Sequence, residues 1–67
     1  MEGVIKNLVK EKGFGFITIE GEAKDLFFHK NSLVAGLSFE DLNIGDRVSF
    51  DKAESPKGPN AINVAIA

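Results

Sequence analysis

The residues able to do chemistry lie in two short stretches, "KGFGFI" at 12–17 and "KDLFFHK" at 24–30. Phe14 and Phe16 stand one residue apart, as do Phe27 and His29, and lysines 6, 10, 12, 24 and 30 lie in or beside these runs. Flat rings with cations at their margin suit stacking on nucleobases and pairing with phosphates. The alternatives fare worse. One histidine without cysteine is a poor metal site, so no metal is expected. Catalysis needs an oriented partner for a nucleophile or base, and no such constellation is visible, so no catalytic residue is assigned. "GFGFIT" lacks the third glycine of a dinucleotide fingerprint and leads into a strand, so no cofactor is expected. Gly13 and Gly15 instead suit a tight bend or a close approach of neighbouring backbone.

These side chains need strands to position them. In a strand, residues two apart share a face, so Phe14 and Phe16 point one way while Ile17 and Ile19 point the other. Burying the phenylalanine face would drag Thr18 and Glu20 inward, and an unpaired buried carboxylate is costly. The isoleucine face is therefore the core face. In 24–30, Leu26 and Phe28 share one side, and Asp25, Phe27 and His29 share the wetter one. Both strands are expected to show rings to solvent as one aromatic patch.

Five segments read as strands: 3–10, 13–20, 24–30, 46–52 and 60–66. Val48 and Phe50 form a dry face in the fourth, and Ile62, Val64 and Ile66 in the fifth. "EGEAK" at 20–24 suits a hairpin turn, and "ESPKGPN" at 54–60 reads as a loop. The stretch 31–45 is less regular, with a short helical turn expected near Asn31 and Ser32. The expected fold is all-β: a five-stranded antiparallel Greek-key barrel of the oligonucleotide-binding type, spanning 1–67 as one domain.

Composition sets the outer bounds. A chain of 67 residues with 43% apolar content supports one modest core. It has no cysteine for disulfides and neither a leader pattern nor an apolar run long enough for a bilayer. A soluble, cytoplasmic, monomeric protein is expected, with no membrane partner and no small-molecule substrate. The net charge of −2 argues weakly against a nucleic-acid partner, although much of the acid lies in turns or in 40–54. Glu11 and Asp25 keep any basic patch small.

"KGFGFI" and "DLFFH" together resemble the two ribonucleoprotein motifs of the cold-shock domain, and "GDRVSF" and "KGPNAINV" are similar to that family in order and position. The resemblance covers nearly the whole chain. It implies a barrel that binds single-stranded RNA or DNA and loosens RNA structure, without performing a reaction. Carried over by position, it implies a stacking platform of Phe14, Phe16, Phe27 and His29, with Lys6 and Lys12 beside it and Phe39 at the end of the site. Three positions depart from the pattern: Asn7 and Leu8 replace a Trp–Phe pair, and Lys30 stands where an aromatic often follows the histidine. Losing two stacking partners at roughly 1 to 3 kcal/mol each would weaken binding by roughly tens to tens of thousands of fold, with Lys30 returning part through a phosphate. A rival reading stays open: a protein-interaction module that uses the same apolar face.

Overall fold

Alternating apolar and polar residues extend the chain wherever one face can be buried. The computed structural model, which describes residues 1–56 and 58–67, holds five strands. They are β1 Glu2–Val9, β2 Phe14–Thr18, β3 Leu26–His29, β4 Arg47–Ser55 and β5 Gly58–Ile66. Each overlaps the segment expected of it. Single 3-10 turns at Lys30–Ser32 and Phe39–Asp41 interrupt the connection from β3 to β4, the first where a helical turn was expected. Among the described residues, no helix is long and apolar enough to cross a membrane.

The strand order is β1-β2-β3-β5-β4, and β1 also pairs with β4, so the sheet closes on itself. The expectation of a purely antiparallel sheet needs correction. β3 and β5 run parallel, with Phe27 opposite Asn60 and Phe28 opposite Ala61, while the other ladders are antiparallel. Counting gives the reason. Strand directions alternate around a closed ring only when the number of strands is even, so five strands force a parallel neighbour pair.

Ile17, Ile19, Leu26, Phe28, Val48 and Val64 are all buried, as the parity argument requires, and Phe50 and Leu42 join them. Gly15 lets this core close. A Cβ on it would lie 2.6 Å from the Asn7 carbonyl oxygen and 2.9 Å from the Phe28 ring, closer than real Cβ contacts come. The glycine thus buys room for the largest fully buried side chain.

Two irregularities break period two. In β1, Ile5 pairs with Ile17 and Asn7 with Phe16, so two steps on β1 match one on β2 and Lys6 is an extra residue. In β5, Ser49 pairs with Ala65 and Asp51 with Ile62, leaving an extra residue near Asn63, whose φ of 53° is left-handed. The fifth strand's expected dry face of Ile62, Val64 and Ile66 is corrected accordingly. Ala61 and Val64 point inward, Ile62 is half-buried, and Ile66 is 51% exposed.

The expected loop at 54–60 is also shorter than the sequence suggested. Glu54 and Ser55 remain in β4, paired with Pro59 and Gly58 of β5, and the Ser55 hydroxyl donates to the Gly58 carbonyl at 2.6 Å. Glycine's freedom at a φ of 118° permits this tight return. Lys57 lies outside the described residues.

Candidate functional site

The bulge at Lys6 decides which part of β1 faces outward. Had alternation continued from Ile5, Asn7 would point into the core. With one residue inserted, Lys6 and Asn7 are both exposed, and Leu8 turns inward to pack against the core opposite Gly15. Leu8 therefore does not share the face of Asn7, and the two positions where the resembled pattern has Trp and Phe are separated by the pleat.

Register then lays out the outer face in rows. Asn7 stands opposite Phe16, Phe16 opposite Phe27, and Phe27 opposite Asn60, so one row crosses β1, β2, β3 and β5. The neighbouring row runs from Val9 to Phe14 to His29. Phe14, Phe16 and Phe27 form a triangle of rings with centroids 5.4 to 6.0 Å apart, and the Phe14–Phe16 pair is edge-on at 87°. The expected patch exists, but each ring is half-buried rather than open, because the rings cover one another. What remains exposed is a shared apolar surface.

His29 continues the patch. The Asn31 N–H donates to its Nδ1 at 3.2 Å, which fixes the ring and leaves Nε2 as the free nitrogen. Phe39 is placed elsewhere. It is half-buried, its ring lies 6.0 Å from Phe28, and it packs against the core rather than into the ring triangle.

Charges divide the two ends of the patch. Beyond the Phe16–Phe27 row, Lys6 Nζ donates to Asp25 Oδ2 at 3.0 Å and Thr18 Oγ1 donates to Asp25 Oδ1 at 3.1 Å. The Lys6 hydrogen bond is the main force holding the Asp25 carboxyl below its ordinary range. Partial desolvation opposes it, and Thr18 and the Lys6 charge assist. At the other end, the Lys30 N–H donates to the Gly13 carbonyl at 2.8 Å, and the Lys30 methylenes lie against Gly13, whose φ is 72°. Lys30 thus lays an aliphatic stem along the turn while its head stays exposed. Lys12, also exposed, lies in the same turn, and neither lysine has an ion-pair partner among the described residues.

Sequence reasoning missed Asn60. It borders Phe27 in a cleft with Ser55, Gly58 and Pro59, and its Oδ1 is buried without a hydrogen-bond partner among the described residues. No local signal could have found it, since it reaches the rings only through the parallel ladder. A second cleft, between β1 and the segment before β4, is lined by Leu8, Leu42 and Ile44 among others and holds none of the rings.

Comparison with known proteins bears on this arrangement. A family model described as "'Cold-shock' DNA-binding domain" matches residues 1–67. A protein named cold shock-like protein CspA, from Bordetella pertussis, is 47% identical over 64 residues, covering 96% of this chain and 94% of its own. Cold shock-like protein CspB of Bacillus cereus is 43% identical over 65 residues, or 97% of each chain. The major cold shock protein of Micrococcus luteus is 42% identical over 62 residues, covering 92% of this chain and 91% of its own.

Proposed function

Because this chain belongs to the cold-shock domain family of nucleic-acid-binding proteins, we propose that it binds single-stranded RNA or DNA by stacking bases on Phe14, Phe16, Phe27 and His29. The closed five-stranded sheet is then a barrel of the oligonucleotide-binding type. The observation that carries the reading is the ring triangle on the outer face of β2 and β3, held up by an all-apolar inner face. Each stacked base contributes roughly 1 to 3 kcal/mol, with little preference among bases, since every base has a π-face.

Lys12 and Lys30 supply phosphate contacts at the β1–β2 turn. Lys30 follows His29 directly, so a strand that stacks on the imidazole passes within reach of that ammonium. Phe39 serves the end of the site only if it can leave its packing on Phe28. The platform lies within one chain, so a monomer suffices.

A protein that takes unpaired bases and not helices shifts hairpins toward the open form by mass action, which makes this chain an RNA chaperone without an energy source. No cofactor or reaction is involved. The test is a titration with unstructured pyrimidine and purine oligonucleotides at two salt concentrations. Binding that weakens as salt rises is expected. No binding at low salt would favour the protein-interaction reading.

A further inference from the structure

Lys6 differs from Lys12 and Lys30 in one respect: its charge is already spent. Its ammonium donates to one oxygen of Asp25, the Thr18 hydroxyl donates to the other, and the three side chains sum to zero charge. They occupy the outer face one step beyond the rings, Thr18 two residues after Phe16 on β2 and Asp25 two residues before Phe27. Lys12 and Lys30 sit at the opposite end of the same strands.

We infer that Asp25 keeps Lys6 out of the phosphate-contacting set, so that of Lys6, Lys12 and Lys30 the backbone of a bound strand is gripped by the two at the far end of the patch. This deepens the proposed function and rests on it. The reason is electrostatic. An exposed ion pair is weak and could be opened, but opening it does not remove the carboxylate. A phosphate that captured Lys6 would sit within a few ångströms of Asp25, well inside the screening distance of about 8 Å at physiological salt. What the ammonium offers, the neighbouring anion withdraws. The Lys6 hydrogen bond, which holds the Asp25 carboxyl below its ordinary range, favours the charged form and keeps that negative charge in place at neutral pH.

Asp25→Asn removes the charge while keeping an oxygen that can accept from Thr18, and Lys6 is then free. Affinity for an unstructured oligonucleotide is measured across salt concentrations for the unmodified protein, Lys6→Gln, Asp25→Asn and the double variant. Asp25→Asn should tighten binding at low salt and steepen the plot of log affinity against log salt by about 0.7, the value of one single-strand phosphate contact. The double variant should return to the unmodified slope, and Lys6→Gln alone should not flatten it. A flatter slope in Lys6→Gln alone would show that Lys6 already holds a phosphate, and would overturn the inference while leaving the stacking reading intact. Weaker binding by a folded Asp25→Asn would do the same, by making Asp25 a contact in its own right. Absence of binding by the unmodified protein would overturn both. Lys6 is exposed, so its variant stays informative even if Asp25→Asn fails to fold.

Discussion

Asn7 stands directly across the β1–β2 ladder from Phe16, and both side chains point to the outer face because Lys6 is inserted between Ile5 and Asn7. The Asn7 Oδ1 accepts from the Leu8 N–H at 2.9 Å, so the amide is tied to its own backbone and offers no π-face. The aromatic row therefore stops at Phe16.

Extending that row should strengthen the site. Asn7→Trp is expected to tighten binding of an unstructured pyrimidine oligonucleotide by about 1 to 3 kcal/mol, the range for one added stacking partner. The protein has no tryptophan, so the new indole gives an otherwise absent fluorescence signal that bound bases should quench. A folded variant with neither tighter binding nor quenching would show that position 7 lies off the path of the strand.

Removing rings separates binding from stability. Phe16→Ala with Phe27→Ala should cost roughly 2 to 6 kcal/mol of oligonucleotide affinity if the two terms add. The ring centroids lie 6.0 Å apart, so each single variant also disturbs the other ring, and a double-mutant cycle should reveal that coupling. Phe28→Ala empties a fully buried site and should cost about 3 to 5 kcal/mol of folding stability, more than the surface pair. Equal destabilisation in urea melts would contradict the division into faces.

The two faces of β2 and β3 were legible because period two holds there without interruption, and burying Thr18 and Glu20 would have been costly. The fifth strand was misread because it contains an inserted residue near Asn63, where counting by two assigns the wrong side. Asn63 carried a faint local signal, since asparagine tolerates a left-handed φ better than most residues. The Phe27–Asn60 neighbourhood had none. Parallel pairing joins segments that share no turn, and here it follows from closing an odd number of strands. The charges of Lys6 and Asp25 were visible, but their pairing depends on the bulge.

Gly15 should tolerate no side chain. Gly15→Ala would force a methyl against the Asn7 carbonyl and the Phe28 ring. Overpacking of this kind typically costs about 1 to 3 kcal/mol. The midpoint of urea unfolding should fall accordingly. Because the clash reaches β1 at Asn7, oligonucleotide affinity should fall as well. An unchanged midpoint would mean that the core has slack at this point.

The Asp25 pair sets a direction for acid sensitivity. The carboxyl titrates below its ordinary value of 3.8 when folded, so its favourable contribution is fully present above that value and is lost as pH falls through the folded one. Asp25→Asn should therefore be less stable than the unmodified protein near neutral pH, and the gap should close in strongly acidic solution. Chemical denaturation at a series of pH values reads this directly. A gap that widens with acid would reverse the sign and exclude the Lys6 and Thr18 bonds as its cause.

Lys12 and Lys30 carry the last expectation. Both lie at the turn that ends the ring patch, and the Lys30 stem is held along Gly13, so its head is positioned without an ion-pair partner among the described residues. Replacing both with glutamine removes two cations and preserves most of the stem. If each meets one phosphate, the slope of log affinity against log salt should fall by about 1.4, at about 0.7 per single-strand contact. Stacking should survive, so affinity extrapolated to high salt should change little. Lys30→Phe separates the two contributions further: it removes one contact's worth of slope while adding a ring next to His29, and should bind more tightly than Lys30→Gln at every salt concentration. An unchanged slope in the double glutamine variant would place the strand's backbone away from this turn.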